Sequence, residues 1–164
     1  MVTKTGRRRF GVDYVMSNLF LAVLLAVFGA VASRAAEIPK FGAGVVLGVP
    51  FGVTAKYWLD PRYSVQSHLG VSDGNFVMDA DFLKNFDKVL PRKLPGYRMP
   101  LYAGLGLKFK TETETFVGIR FVGGVSMFHS KKPLEFFAEV APVLRIAPNI
   151  DGAFDGAVGI RRYF

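Results

Sequence analysis

The stretch Gly156-Ala157-Val158-Gly159-Ile160-Arg161-Arg162-Tyr163-Phe164 decides the fold, because its residue types alternate with a period of two. Successive side chains of a β-strand point to opposite faces. One face of this stretch therefore carries Val158 and Ile160, and the other carries Gly159 and Arg161. The pattern predicts a strand over Phe154–Phe164 with one apolar face and one face of small and charged residues.

Seven further runs with the same alternation precede this strand. Turn-forming residues such as Ser72-Asp73-Gly74 separate them. After residue 32, no long segment has a helical period. The predicted strands are Phe41–Val49, Val53–Leu59, Tyr63–Val71, Asn75–Asn85, Met99–Phe109, Thr115–Phe128, Leu134–Ile146 and Phe154–Phe164, and Phe86–Arg98 is the one longer connection.

The two faces of each predicted strand differ in composition. Leu134–Ile146 places Phe136 and Val140 on one face and Glu135 and Glu139 on the other. Such alternation fits a soluble sheet with an apolar interior or a membrane barrel with an apolar exterior. The 18 glycines and 16 phenylalanines favour the second, since small residues and a few charges suit a narrow polar lumen.

Alternate residues of a strand share one face, so the position of each charged residue along its strand predicts whether it points inward. This parity places five basic and five acidic side chains in the lumen. Buried charges are tolerated when they are paired and hydrogen-bonded. The balance therefore predicts an ion-pair network that plugs the lumen, and the alternative is an ion path or a gate. The predicted network is Lys56, Asp79, Asp81, Lys108, Arg120, Glu135, Glu139, Arg145, Asp155 and Arg161.

The first 32 residues have the pattern of a cleavable signal helix. Lys4 and three arginines precede the apolar run Leu19–Val31, and Ala30-Val31-Ala32 supplies small residues for cleavage before Ser33. The run is short for a spanning helix, so a retained membrane anchor is the weaker alternative. The expected domains are a signal peptide over 1–32 and a barrel over 33–164.

Charge and cysteine content exclude several functional classes. The net charge is +8 for the full chain. Cleavage of the signal peptide would remove four basic residues and Asp13 and leave a net charge of +5. The remaining basic residues are dispersed, which argues against a nucleic-acid partner. The chain has no cysteine, so disulfides and zinc–thiolate sites are impossible.

Three stretches carry a family resemblance: Gly48 to Trp58, Leu134 to Pro142, and Gly159 to Phe164. The chain resembles the small outer-membrane barrels of the type of the transmembrane domain of outer-membrane protein A. The resemblance implies an all-β, eight-stranded antiparallel up-and-down transmembrane barrel in the cell outer membrane of a Gram-negative bacterium. It also implies a monomer whose partners are outer-membrane lipid and the barrel-assembly machinery, which would read Ile160, Tyr163 and Phe164 at the end of the chain. Arg162 departs from the pattern, since an aromatic residue is usual there.

Catalysis is the competing class of function. His68 has Ser67 as its neighbour, on the opposite strand face, and His129 lies in a predicted turn. Neither belongs to a spaced triad or a metal cluster. Asp79 and Asp81 share one face and could bind a cation, but pairing with basic side chains is the preferred interpretation.

The sequence therefore predicts a structural or surface-interaction role without enzymatic activity, cofactor or metal. Two alternatives stay open: a lipid-modifying outer-membrane enzyme, and a soluble periplasmic barrel that binds an apolar ligand.

Overall fold

The computed structural model describes residues 40–87, 89–90, 96–111 and 115–164. The signal peptide expected over 1–32 lies outside the described residues. The strands are β1 (Phe41–Gly48), β2 (Phe51–Trp58), β3 (Tyr63–Ser72), β4 (Asn75–Phe86), β5 (Tyr97–Arg98), β6 (Leu101–Lys110), β7 (Phe116–His129), β8 (Leu134–Ala147) and β9 (Asp151–Tyr163).

Eight of these strands form a closed antiparallel barrel. The sheet order is β7-β6-β4-β3-β2-β1-β9-β8, and pairing of β7 with β8 closes it. The two-residue strand β5 pairs with the end of β7 in the same register as β6, so it extends the β6 edge of the barrel beyond Leu101. Closure leaves no long sheet edge without backbone partners, which is what an up-and-down barrel achieves.

The eight predicted strands are confirmed, with ends that shift by a few residues. The last strand begins at Asp151 rather than Phe154, because Asp151 continues the ladder with β8 by pairing with Arg145. Strand β5 was not predicted, and it lies in the segment that the sequence assigned to a connection. The predicted turn at Asp73-Gly74 has positive φ at both residues, 51° and 74°, as a two-residue hairpin turn of type I′ requires.

The outward face of the barrel is apolar. Leu105, Val140 and Phe82 are 56%, 50% and 50% exposed on three different strands. Scattered exposed apolar residues are normal on a soluble protein, but a continuous apolar surface marks a contact with lipid or protein. The parity predicted from the sequence therefore matches an apolar exterior and a polar interior.

The interior contains more apolar side chains than the sequence predicted. Leu83, Tyr102, Val122 and Ala141 form one buried cluster, and Val46, Phe137 and Ala157 form another. The expectation of a lumen made of small and charged residues was incomplete. Large apolar side chains also fill it, because an eight-stranded barrel has room for little except side chains.

Glycine at position 106 makes space for one of the buried acids. A Cβ at Gly106 would overlap the Oδ1 atom of Asp81 on the neighbouring strand. The glycine therefore lets β6 pass close to an inward carboxylate. Within the described part of the chain, no helix is long and apolar enough to cross a membrane.

Candidate functional site

The polar lumen is organised around Arg120, which projects inward from the middle of β7 and is 1% exposed. Its NH1 group lies 2.7 Å from Asp79 Oδ2 and 3.5 Å from Asp155 Oδ2. Its NH2 group lies 3.0 Å from Glu139 Oε1, and its Nε lies 3.4 Å from Asp81 Oδ1. One guanidinium thus faces four carboxylates, which the planar, delocalised arginine cation suits better than a lysine would.

A second cluster surrounds Glu135 on β8. Its carboxylate receives hydrogen bonds from Lys56 Nζ at 3.0 Å, Ser126 Oγ at 2.5 Å and Tyr163 OH at 2.7 Å. Arg161 NH1 lies 3.4 Å from the second oxygen. Both oxygens of this fully buried acid are therefore satisfied, as a buried charge requires.

Gln66 and His68, two residues apart on β3, connect the two clusters. Gln66 accepts a hydrogen bond from Arg161 NH2 at 3.0 Å and donates to Glu139 at 2.9 Å. His68 Nδ1 lies 2.6 Å from Asp79 Oδ1, and its Nε2 lies 3.3 Å from Arg161 NH2. Since arginine can only donate, this geometry assigns the imidazole proton to Nδ1.

A third contact lies near the C-terminal end of β6 and adds Lys108 to the Arg120 cluster. Lys108 Nζ lies 2.6 Å and 2.7 Å from the two oxygens of Asp155. Asp155 also faces Arg120, so the lysine and the arginine share one carboxylate. The ion pairs consequently form one continuous network across the barrel interior.

The structure brings together nine of the ten residues that parity assigned to this network. Arg145 is the exception: it is half-buried, and among the described residues it makes no ion pair. Its guanidinium stacks instead at 4.4 Å from the ring centroid of Phe116. Parity predicts on which face of a strand a side chain lies. It does not predict whether an oppositely charged side chain lies at the same level along the barrel axis.

Several members of the network were not singled out from the sequence. Tyr102 donates a hydrogen bond to Glu139 at 2.9 Å, and Tyr163 donates one to Glu135. Trp58 donates from Nε1 to Tyr163 OH at 3.1 Å. These three side chains therefore contribute hydrogen bonds to the lumen, a role that the sequence analysis did not assign to them. Their inward parity was the available signal.

The three residues proposed as an assembly signal lie in β9, which pairs with both β1 and β8, or just after it. Ile160 pairs with Val45 of β1 and with Phe136 of β8. The backbone N–H of Phe164 donates to Phe41 O at 2.9 Å. Tyr163 contributes its hydroxyl to the lumen, so it has a structural contact besides any role in assembly.

The histidines are placed differently from each other. His68 is 1% exposed within the network, while Ser67 faces away and donates to the backbone oxygen of Asp79. His129 was expected in a solvated turn, but it is the last residue of β7 and half-buried against Tyr97, with ring centroids 5.2 Å apart. Within the described ranges, neither imidazole makes a hydrogen bond with a serine side chain.

Among the residues that the structure describes, one group of potential ligands is compact enough to consider for a metal ion. Single ligand atoms from His68, Asp79 and Asp81 lie within 4.8 Å of one another. However, Arg120 and His68 occupy both oxygens of Asp79, and Gln66 donates to Asp81. From the described residues, Asp81 Oδ1 accepts no hydrogen bond, but it lies 3.4 Å from Arg120 Nε, so a protein cation already lies beside these carboxylates.

Comparison with known proteins gives one informative result. No protein-family model matches the chain, and no curated protein matches it significantly. Among solved structures, the chain is similar to the N-terminal β-barrel domain of Pseudomonas aeruginosa OprF, with a TM-score of 0.52 and 12% identity. The match covers 76% of this chain and 96% of that domain. At this identity the likeness concerns the fold alone, and the chain therefore shares the fold of that domain, a small closed eight-stranded β-barrel.

Proposed function

We propose that the protein is a small outer-membrane β-barrel with a structural or surface-interaction role, and that its lumen is plugged by the ion-pair network. The observation that carries the proposal is the orientation of the two faces. Apolar side chains cover the outside, while charged side chains such as Arg120 and Glu139 are buried inside. A soluble barrel that binds an apolar ligand would require the reverse.

The network also supports a closed lumen. An ion that passed Arg120 would have to separate contacts of 2.7 Å and 3.0 Å to Asp79 and Glu139. Breaking a buried pair leaves an uncompensated charge, which is costly. Apolar layers that include Leu83 and Phe137 fill further parts of the interior. The protein is consequently not a wide pore.

An outer-membrane role requires export and insertion. The signal peptide expected over 1–32 would direct export, and the barrel-assembly machinery would insert the chain as a monomer into outer-membrane lipid. No enzymatic activity is proposed, because the buried His68 is engaged by Asp79 and Arg161, and the adjacent Ser67 donates to the backbone oxygen of Asp79.

The proposal is tested by expressing the protein in a Gram-negative host and fractionating the membranes. Its gel mobility is then compared with and without heating. We expect the protein in the outer-membrane fraction, with a mobility that changes on heating, and no porin-sized current steps in planar bilayers. A soluble pool without detergent would contradict the membrane assignment. Altered lipid species that disappear in His68→Ala would favour a lipid-modifying enzyme instead.

A further inference from the structure

The barrel has a concave opening at the end where β2 finishes and β8 begins. Three rings form its floor: Trp58, Phe128 and Tyr163. Phe128 lies 5.9 Å from Trp58 and 5.8 Å from Tyr163, measured between ring centroids. Above these rings is a cavity of about 330 Å³. That volume is at the small end of the range for small-molecule sites.

The wall of this cavity is largely apolar, and its charged residues are predominantly basic. Its lining residues include Lys40, Arg98 and Lys132, with Asp60 as the one acid. Asp60 Oδ1 already accepts the backbone N–H groups of Arg62 and Tyr63 at the turn. The positive excess is therefore not cancelled within the cavity.

The three basic residues are not equally available. Arg98 makes a bidentate pair with Asp87, at 2.8 Å and 2.9 Å, and β5 holds it over the rings through its pairing with Phe128. Its guanidinium carbon lies 5.7 Å from the Phe128 ring centroid. Within the described residues, Lys40 and Lys132 make no ion pair, and both are exposed. Two ammonium groups thus remain free to bind an anion.

We propose that this mouth cavity binds a small organic anion that joins a flat apolar body to a carboxylate or phosphate group. The apolar body packs on Trp58 and Phe128, since aromatic faces favour stacked or tilted rings. The anionic group lies between Lys40 and Lys132, where the ammonium groups supply charge-assisted hydrogen bonds. Trp58 and Tyr163 belong to both the network and the cavity floor, since Trp58 donates to Tyr163 and Tyr163 donates to Glu135, but the charged residues of the network do not line the cavity.

Trp58 makes the test direct, because it is the single tryptophan of the chain and lies in the cavity floor. Phenyl phosphate is titrated into the refolded barrel in an uncharged maltoside detergent, and tryptophan emission is recorded. We expect a saturable change, with inorganic phosphate and phenol each binding about tenfold more weakly, since each supplies only part of the interaction. Equal affinity for inorganic phosphate would overturn the site, because it would indicate nonspecific surface charge.

The double variant Lys40→Ala/Lys132→Ala should bind phenyl phosphate about tenfold more weakly, because two exposed charge pairs are lost. Lys131→Ala, one residue away and outside the cavity lining, is the matched control and should bind like the wild type. Heat-modifiable mobility verifies that each variant is folded. Unchanged affinity in the double variant would overturn the proposal. So would a response of Trp58 to added phosphatidylglycerol without any response to phenyl phosphate, since the occupant would then be a lipid.

Discussion

Arg120 is the residue whose substitution most directly tests the lumen network. It faces Asp79, Glu139, Asp81 and Asp155 at distances between 2.7 Å and 3.5 Å. The change Arg120→Gln takes away the positive charge and leaves the four carboxylates facing one another in a buried space. Repulsion among them and their lost solvation should destabilise the folded barrel.

The expected loss in the free energy of unfolding depends on the hydrogen-bond donors that remain around these acids. Removing one partner of a buried pair typically costs about 3–5 kcal/mol. We expect about 3 kcal/mol for Arg120→Gln, the lower end of that range, because Gln66 and Tyr102 still donate to Glu139. For Glu139→Gln we expect a smaller loss of about 2 kcal/mol, typical of one hydrogen bond to a charged group, since the arginine keeps three other carboxylates.

The double variant shows whether the two side chains interact directly or whether each substitution acts independently. Arg120→Gln/Glu139→Gln should cost at least about 1 kcal/mol less than the sum of the two single changes, because residues in contact are energetically coupled. Urea unfolding of the barrel refolded in lipid vesicles, followed by the emission of Trp58, gives the free energies of unfolding of the wild type and the three variants. If both single variants have the wild-type free energy of unfolding, the two side chains are solvated. The assignment of charged residues to the lumen would then be wrong.

Three further predictions concern the exterior and the two ends of the chain. Val140→Arg should cost roughly 2–4 kcal/mol in the same unfolding assay if residue 140 lies near the bilayer midplane, whereas Val140→Ala should cost clearly less; equal costs would argue against a lipid-facing position. Phe164→Asp should lower the amount of protein in the outer membrane, because weakened closure leaves backbone groups without partners in hydrocarbon; normal levels on an immunoblot of the membrane fraction would refute this. N-terminal sequencing of the mature protein should begin at Ser33 or within a few residues of it, and a mature chain that keeps the apolar leader would show that the segment is an anchor.

Strand parity explains why so much of this fold could be read from the sequence. A barrel strand has two chemically different faces, so the alternation of Glu135, Phe136 and Phe137 with their neighbours assigns each side chain to the lumen or the exterior. The same alternation placed Arg120 and Glu139 inside. Turn residues such as Asp73 and Gly74 then fixed where strands end.

Parity carries no information about partners across the lumen. Lys56 and Glu135 are 79 residues apart, and their 3.0 Å contact depends on the stagger of the whole barrel. Tyr163 was read as part of an assembly signal, and its bond to Glu135 was missed, because a tyrosine near a strand end also suits an interfacial position. The stacking of Arg145 on Phe116 was missed for the same reason: it depends on height along the barrel axis.

The orientation of the barrel wall is tested most directly by placing single labels on it. The chain has no cysteine, so Leu105→Cys and Val158→Cys each introduce one thiol on the outward face, and Asn149→Cys introduces one in a turn. A bimane label at each thiol is then exposed to a lipid-borne nitroxide and to aqueous iodide in refolded vesicles. We expect the nitroxide to quench the labels at 105 and 158, and iodide to quench the label at 149. Strong quenching by iodide and none by the nitroxide at 105 and 158 would contradict the membrane-spanning barrel.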